Sequence, residues 1–570
     1  MSFWAWAVFV VATLYTIWDG VRRTMGAKDL EGFFAASRSI PWWAAGLSVM
    51  ATQLSAITII SGVGMGYENG LEWVQFYFAL PFAMVILCIW FVPMYRQHPI
   101  LTAYEYLERR FGPVTRALTS AAFLVSRCLA FGVVLYAPSV VFSVMTGLPI
   151  DWTVIVVGAL TTAYTVAGGV GGVVWTDVKQ MLVIVLGIVT CLGILLWHVL
   201  QDLSPLAMLR VLGAAGRMNA VEVVDPAWTA ATFWKDKYNV WTGLFGTLAL
   251  FLSYFGCDQS QVQSLLTSKS VDASRRALLM SAFTKVPLQL MVLFMGALLF
   301  LHSSLHQEPV LFDPTQRDAR LSAEQTQRLA TVTQQHAAAA QERRALTLEL
   351  AQLPDAPAAH PELLRRYQDA LARAVDARKQ ARAIAAAPLG EAAPGAKVEA
   401  PGDGNYIFPN FIFRELPAPI LGLMLAAIFA AAISSAAGAL SSLTSATVVD
   451  FYQRWRRRAD GAPMDPLRAS RVIMTLWGVA ATVSALWLGG GPLLERVNEV
   501  GSWFYGSILG VFVLALTLPR AGGRAASAGL IGGLRTVFAV HWTVDIAFLW
   551  YNLIGCVGCV VVGWLLSRTE

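Results

Sequence analysis

Charged residues are scarce in this sequence. Only 14% of its 570 residues are Asp, Glu, Lys or Arg, whereas 56% are hydrophobic, and a soluble domain carries roughly 25% charged residues. Moreover, 24 of the 78 charged residues lie between Asp313 and Asp403. The remaining chain contains many stretches of the about 20 apolar residues that cross a bilayer. The composition therefore excludes a water-soluble enzyme and predicts an all-α polytopic membrane protein.

The sequence also lacks the usual signatures of catalysis and of nucleic-acid binding. It has no His/Cys cluster, no serine-nucleophile elbow and no glycine-rich phosphate loop. The net charge is +6, but the basic residues are scattered among short loops and form no single face. The Cys556-x-x-Cys559 pair lies in an apolar stretch, where packing is a better interpretation than redox chemistry. We expect no enzyme, no organic cofactor and no nucleic-acid partner.

Apolar runs predict thirteen transmembrane helices. They lie near residues 3–21, 41–66, 73–95, 118–146, 150–168, 176–199, 238–266, 278–302, 417–449, 469–489, 496–518, 525–541 and 545–567. The first run has Arg22 and Arg23 after it and no basic residue before it, which is the wrong polarity for a signal peptide. If the N-terminus is outside, the four shortest outer loops contain no Lys or Arg. The positive-inside rule therefore places the C-terminus in the cytoplasm, and we expect the cell membrane.

One polar segment interrupts this pattern. Residues 305–405 contain two helical stretches, near 321–352 and 361–386, each with an apolar stripe at helical spacing. The topology places this helical hairpin outside the cell. It divides the chain into residues 1–304 with spans one to eight, 305–405, and 406–570 with spans nine to thirteen. A sensing or partner-binding role and a solvated elaboration of one loop are the two interpretations.

The second span carries polar residues in the middle of the membrane. Thr52, Gln53, Ser55 and Thr58 lie where an unpaired polar group costs several kcal/mol. Glycines at 62, 64 and 66 then weaken the helix. This pattern predicts a span that unwinds and exposes backbone carbonyls to a cavity. A polar seam between closely packed helices is the alternative.

The seventh span has a similar interruption, at residues 253–260. If the first helix is set aside, the second and seventh spans begin two successive sets of five. Interrupted helices at corresponding places in two halves are typical of transporters with inverted repeats and a central binding site. The span order therefore predicts inverted five-helix repeats.

The ninth span adds a pair of hydroxyls, Ser434 and Ser435. Sodium binds hard oxygen ligands, which hydroxyls and carbonyls supply by the same logic as calcium sites. A serine pair facing the broken second span therefore predicts a sodium site. Two alternatives remain, since serines in membrane helices also bond to the carbonyl four residues earlier and small-residue runs form packing seams.

Five residues inside predicted spans are ionisable, and such residues are functional candidates because their burial is costly. They are Arg127, Asp177, Asp258, Lys285 and Glu499. Lys285 lies about two turns inside its span and either snorkels to the cytoplasmic surface or contacts the solute. Asp177 lies at a cytoplasmic end, where simple solvation is the alternative.

Five segments carry family-like motifs in a fixed order. They are 41–55 with Pro41-Trp42-Trp43, 102–112 with Thr102-Ala103-Tyr104-Glu105, 168–180 with Trp175-Thr176-Asp177, 258–263 with Asp258-Gln259, and 434–452 with Ser434-Ser435. In these segments, which cover nearly all of the membrane portion, the chain resembles the sodium:solute symporter family. The resemblance implies a leucine-transporter-like fold and sodium-driven uptake by alternating access. The hairpin at 305–405 lies outside it.

The resemblance also implies site residues. The sodium site falls on the carbonyls of Ala51, Leu54 and Ala431 and the hydroxyls of Ser434 and Ser435. The substrate cavity falls on Gln53, Ser55, Thr58, Trp73, Phe76, Tyr77, Tyr254, Lys285 and Asn498. Asp177 and Arg127 are coupling candidates. The serines of a second sodium site are Ala437 and Gly438 here, which favours one sodium ion per cycle.

These observations lead to one expected function and one alternative. We expect a symporter that couples sodium to a small polar organic solute, either a sugar, a sialic acid-like compound or a carboxylate. The alternative is a transporter-like receptor that signals through the external hairpin. A membrane-embedded enzyme is the weakest interpretation, since paired catalytic groups are missing.

Overall fold

The structure is a computed structural model that describes residues 2–24, 40–96, 100–168, 173–224, 228–306, 308–317, 319, 321–353, 357–386, 402–456, 465–488 and 491–568. These residues form helices almost throughout. Their β structure is limited to one parallel bridge between Ile40 and Ser268. Residues 169–172, inside one of the family-like segments, lie outside the described ranges.

Thirteen helices precede the polar segment. They are α1 Phe3–Thr24, α2 Trp42–Gln53, α3 Ala56–Asn69, α4 Glu72–Arg96, α5 Ala103–Phe111, α6 Pro113–Thr146, α7 Ile150–Gly168, α8 Val173–Asp202, α9 Pro205–Ala214, α10 Ala230–Lys235, α11 Thr242–Gly256, α12 Gln259–Leu266 and α13 Val271–Leu305. This count covers the described residues only.

The polar segment and the last third of the described chain supply the rest. These helices are α14 Pro314–Arg317, α15 Ala323–Gln352, α16 Pro361–Ala386, α17 Gly404–Glu415, α18 Ala418–Tyr452, α19 Pro466–Leu488, α20 Leu493–Thr517, α21 Gly523–Thr543 and α22 Leu549–Leu566. A short helical stretch, Gln453–Arg456, follows α18 directly.

A helix or a helix pair lies over each of the thirteen predicted spans. Within the described ranges, eight helices are long and apolar enough to cross a membrane, or nine if the bent pair α2 and α3 is one span. The prediction of an all-helical, multi-pass membrane protein is therefore confirmed. The apolar stretches found in α1, α7 and α11 are shorter, at Phe3–Tyr15, Ile150–Val166 and Thr242–Gly256. The α21 helix is more polar. Thirteen crossings therefore stay a prediction.

The glycines of the second span do not unwind it, contrary to the sequence-based expectation. Gly62, Gly64 and Gly66 lie inside the continuous helix α3. A Cβ atom at Gly66 would lie 2.2 Å from the carbonyl oxygen of Leu293, and one at Gly64 would lie 2.4 Å from that of Gly404. These glycines allow α3 to pack against α13 and α17, because a side chain would collide with neighbouring backbone.

The central helices hold the broken span in place. The α18 helix packs against α1, α6, α8 and α2, while α13 packs along both α2 and α3. Most residues of α18 and of α3 are buried. The break between α2 and α3 therefore lies in the packed interior of the bundle, where backbone polar groups need partners.

The two predicted helices of the polar segment form and pack along each other as α15 and α16. Arg373 of α16 pairs with Glu342 of α15 at 2.7 Å. The pair contacts the bundle through Arg343, whose guanidinium lies 3.0 Å from Glu308, just after α13. Glu308 also accepts a hydrogen bond of 2.5 Å from Tyr67 near the end of α3. The α15–α16 pair is thus joined to the ends of α3 and α13.

Candidate functional site

The second span breaks at two residues. Leu54 has φ −86° and ψ 67°, and Ser55 is extended, so neither continues the helix. The axis bends by 58° between α2 and α3. The expectation of a broken helix is therefore correct, and the close packing of the glycines of α3 occurs beside the break.

The break releases backbone carbonyls from their helical donors. The Thr52 carbonyl accepts from the Ser435 hydroxyl at 3.1 Å, and the Gln53 carbonyl accepts from the hydroxyl of Thr58 at 3.3 Å. The carbonyl oxygens of Ala51 and Leu54 accept no hydrogen bond from the part of the chain that the structure describes. Unpaired buried carbonyls are costly, so these two oxygens are available to a cation.

The serine pair faces the break instead of its own helix. The hydroxyl of Ser434 donates to the carboxylate of Asp177 at 2.6 Å, and that of Ser435 donates to Thr52 as stated above. Neither serine bonds to the carbonyl four residues earlier, so that alternative is wrong. Ala431 is fully buried one turn before the pair. The α18 helix thus presents oxygens beside the broken span.

Asp177 lies inside the protein, not at a solvated surface. Asp177 is 1% exposed. One carboxylate oxygen accepts from Ser434, and the other accepts from Ser48 of α2 at 2.5 Å. Asp177 therefore links α8 to both the broken span and the serine helix, and the alternative of simple solvation is wrong.

A cavity of about 110 Å³ lies directly beside the break. Its lining includes eight of the nine predicted substrate residues, together with Thr52, Arg127 and Ser435. Those eight are Gln53, Ser55, Thr58, Phe76, Tyr77, Tyr254, Lys285 and Asn498. Trp73 does not line the cavity. Its ring is buried and stacks on Phe76 at 4.6 Å, so it supports a lining residue.

Lys285 points into the interior, so the alternative in which it snorkels to the surface is wrong. The residue is 4% exposed, and its ammonium nitrogen lies 3.4 Å from the Gln53 carbonyl and 5.8 Å from the ring centre of Tyr77. Within the described ranges, no carboxylate lies within 4.0 Å of this nitrogen. Lys285 therefore lines the cavity with hydrogen-bond and aromatic contacts but with no acidic partner.

Arg127 also lines the cavity, although it has an acidic neighbour. Its guanidinium lies 3.6 Å from the carboxylate of Asp258, which caps α12 by accepting from the Ser260 amide. The Tyr505 hydroxyl donates to the same carboxylate at 3.4 Å. The interruption after α11, predicted from the sequence, thus positions an ion pair at one wall of the cavity.

Several lining residues are held by hydrogen bonds. The Tyr77 hydroxyl donates to Gln289 at 3.2 Å, the Tyr254 hydroxyl accepts from Gln261 at 3.0 Å, and the Asn498 amide donates to the Leu494 carbonyl at 2.7 Å. These bonds fix the polar groups that face the cavity. A solute therefore meets a largely preformed wall.

Sequence reasoning missed further lining residues, including Phe251 and Tyr505. Phe251 lies three residues before Tyr254 and therefore on the same face of α11. This three-residue spacing would have allowed Phe251 to be predicted as a lining residue from the sequence. Tyr505 lies on α20, and only the packing of α20 beside α11 brings its ring 6.1 Å from Tyr254.

An apolar helical bundle whose helices break beside a polar cavity defines a class, that of membrane transporters. Comparison with known proteins agrees. A solved Na+-coupled sialic acid symporter, in a substrate-bound outward-open state, has the same fold, with a TM-score of 0.74 at 21% identity over 100% of this chain and 98% of that one. The sodium/sialic acid symporter SiaT of Proteus mirabilis is 23% identical over 95% of this chain and 90% of its own length. The human sodium/iodide cotransporter is 25% identical over 93% and 68%.

The model of the sodium:solute symporter family matches residues 33–320 and 379–533. The chain belongs to this family, and the predicted resemblance is confirmed. It is a sodium-coupled symporter and not an enzyme, with sodium and a small solute as its cargo. The alternative of a receptor that signals through the hairpin has no support. Much of the α15–α16 pair falls between the two matched ranges.

Proposed function

We propose that the protein imports a small polar organic solute that bears a carboxylate, together with one sodium ion per cycle. The observation that carries this proposal is the cavity beside the break, into which Lys285 brings a buried ammonium group without an acidic partner among the described residues. A buried charge is stabilised by an opposite charge. The relatives named above transport sialic acid and iodide, which are both anions. A neutral sugar would leave Lys285 unpaired.

Sodium is proposed to bind between α2–α3 and α18. Its ligands are the carbonyls of Ala51, Leu54 and Ala431 and the hydroxyls of Ser434 and Ser435. The free carbonyls of Ala51 and Leu54 and the inward direction of both serines support this site. Ala437 and Gly438 carry no oxygen in their side chains, which supports a single ion.

Two charged residues are proposed to couple sodium to the solute. Asp177 accepts a hydrogen bond from Ser434, a proposed sodium ligand, so sodium binding at Ser434 changes the surroundings of the carboxylate. Arg127 lines the solute cavity and pairs with Asp258. Ser435 belongs to both the sodium site and the cavity lining. By linkage, each cargo strengthens the binding of the other by the same factor, typically ~1–3 kcal/mol.

The finer membrane architecture is also proposed. The chain crosses the cell membrane thirteen times, with the N-terminus outside, the C-terminus inside and two inverted sets of five helices. Residues 1–304 and 406–570 form the membrane portion, and 305–405 form a hairpin outside it. Breaks at Leu54–Ser55 and at Cys257–Asp258 in corresponding spans support the repeats.

An outer vestibule is proposed above the solute cavity. A second cavity, of about 300 Å³, lies between the α15–α16 pair and the end of α3, and its lining includes Arg343, Arg378 and Ser61. The Ser61 hydroxyl accepts from the amide of Leu494, which lines the inner cavity. The two cavities therefore adjoin at this contact. The hairpin covers the route by which an anion would enter.

Uptake into proteoliposomes tests the proposed function. Sialic acid and pyruvate, each compared with its uncharged methyl ester, are offered with an inward sodium gradient and with potassium in place of sodium. We expect concentrative, sodium-dependent uptake of at least one acid and not of its ester. Equal uptake of acid and ester, or uptake of a neutral hexose alone, would contradict the carboxylate assignment.

Serine variants test the sodium site. Ser434→Ala and Ser435→Ala are expected to raise the sodium concentration for half-maximal uptake about tenfold or more. Ser442→Ala is the matched control, since among the described residues that hydroxyl bonds only to the Ala439 carbonyl of its own helix, at 2.8 Å. Unchanged sodium dependence in both site variants would remove the assignment.

A further inference from the structure

Three of the seven histidines gather at one end of the bundle, away from the solute cavity. His198 lies near the end of α8, and His302 lies near the end of α13. Their ring centres are 5.8 Å apart. Glu415, the last residue of α17, lies beside them, and one ligand atom from each of these three side chains lies within 4.8 Å of the other two.

Two pairs of residues on α8 and α13 surround the two histidine ligands of this cluster. His198 and Asp202 are four residues apart on α8, and His302 and His306 are four residues apart on and just after α13, so each pair shares a helix face. The His306 ring nitrogen Nε2 lies 3.8 Å from the Asp202 carboxylate. Two faces bearing nitrogen and oxygen ligands are therefore opposed across the α8–α13 contact.

The position combines burial with access. His302 is 8% exposed, its ring packs edge-on against Phe411, and His198 is half-buried. Glu415 is exposed. A cavity of about 70 Å³ is lined by His302, His306 and Glu415. The buried imidazole of His302 therefore faces a cavity, and α8, α13 and α17 hold His198, His302 and Glu415 beside one another.

We propose that His198, His302 and Glu415 bind a divalent transition metal ion, with zinc as the cation that fits best. Two imidazoles and one carboxylate form a known zinc ligand set, with bonds of about 2.0–2.2 Å. Ligands around one tetrahedral zinc are about 3.4 Å apart at those bond lengths, so small side-chain rotations close the observed separations. Water or His306 fills the fourth position. Imidazole ligands select zinc over magnesium and calcium, which prefer oxygen.

The bound metal would join three helices. The α13 helix also carries Lys285 in the solute cavity, so a metal that ties α13 to α8 and α17 stabilises one arrangement of the bundle by mass action. Zinc applied from the side of residue 302 is therefore expected to slow transport. This site uses none of the residues assigned to sodium or to the solute.

Zinc titration of the full chain tests the proposal. The protein is purified without a polyhistidine tag, treated with a chelator and titrated with zinc chloride in a calorimeter, with magnesium chloride as the comparison. We expect one zinc per chain, a raised melting temperature and no response to magnesium. His198→Gln and His302→Gln should weaken zinc binding about tenfold or more.

Two further variants keep this test decisive. Glu415→Gln changes an exposed residue and should preserve folding while weakening zinc binding. His541→Gln is the matched control, because this ring contacts Tyr551 elsewhere in the chain. Zinc binding that is absent in the wild type, matched by magnesium, or retained in His198→Gln, His302→Gln and Glu415→Gln alike would overturn the site. None of these outcomes depends on the identity of the transported solute.

Discussion

The hydroxyl of Ser434 donates a hydrogen bond of 2.6 Å to the buried carboxylate of Asp177, which also accepts from Ser48. A single acidic group thereby joins α8, the helix before the break and the serine helix. In the proposed sodium site, where Ser434 is a ligand, the carboxylate of Asp177 would lie one hydrogen bond from the ion. The carboxylate both orients this ligand and favours a cation beside it.

Removing the charge of Asp177 is expected to weaken sodium binding. Asp177→Asn keeps the shape of the side chain but loses the negative charge, so the sodium concentration for half-maximal uptake should rise about tenfold or more. Flux in proteoliposomes at graded sodium concentrations measures the change. Asp151→Asn, at an exposed position on α7, is the control. If both variants matched the wild type, Asp177 would have no part in sodium coupling.

Lys285 is expected to bind the carboxylate of the solute. Lys285→Met keeps the apolar stem, but it removes the ammonium group that contacts the Gln53 carbonyl and the Tyr77 ring. The apparent affinity for an acidic solute should fall about tenfold or more, because a hydrogen bond to a charged group contributes roughly 1.5–3 kcal/mol. Uptake kinetics measure it. Lys269→Met, at an exposed site, controls for charge. A solute affinity that is the same in Lys285→Met would refute this role.

Attachment of the α15–α16 pair is expected to weaken in two steps as the pH falls. Burial lowers the pKa of His336 below its usual 6.5, although Glu308 opposes this shift. Burial raises the pKa of Glu308, but Arg343 and Arg378 outweigh it, and the net pKa lies below the usual 4.5. Stability therefore falls below pH 6.5 as the unfolded state alone takes up a proton at His336. It falls again below pH 4.5, because the unfolded state takes up a proton at Glu308 while the folded state keeps this carboxylate charged until its lowered pKa is reached.

Hydrogen–deuterium exchange over residues 323–352 measures both steps. Faster exchange should begin below about pH 6.5 and increase again below about pH 4.5, after correction for the intrinsic pH dependence of exchange. His336→Gln should abolish the first step and keep the second. His360→Gln, which changes a histidine just before α16 and away from Glu308, is the control. A first step that persists in His336→Gln would show that another group causes it.

The sequence predicts the helices of this protein well because their signals are local. Apolar runs mark the spans, and the polar residues at 52–58 mark a break that does occur between Gln53 and Ala56. The serine pair, for which the sequence left alternatives open, lies beside that break in the structure. Motif order identified the family, and eight of nine predicted substrate residues line one cavity.

Features that depend on tertiary packing were harder to predict. The sequence places Asp177 at the end of a helix. Its burial beside Ser434 results from the packing of α8 against α18, which the sequence does not show. Tyr505 reaches the cavity because α20 lies beside α11. Trp73 does not line the cavity, because its ring packs behind it against the ring of Phe76. The histidine cluster joins positions more than 200 residues apart in the sequence, from His198 to Glu415, so no local spacing predicts it.

The glycines of α3 are expected to act through close packing. Gly66→Ala would put a methyl group 2.2 Å from the carbonyl oxygen of Leu293 and 2.9 Å from its carbonyl carbon. Backbone atoms cannot rotate away, so α3 and α13 must separate, at a cost of about 1–3 kcal/mol. Thermal unfolding of the purified variant should show a lower melting temperature. In Gly193→Ala, inside α8, the new methyl group meets no atom of the described residues within 4 Å, and alanine favours the helix. That control should unfold at the same temperature as the wild type or higher. Equal melting temperatures for Gly66→Ala and the wild type would mean that the second-span glycines do not set the helix spacing.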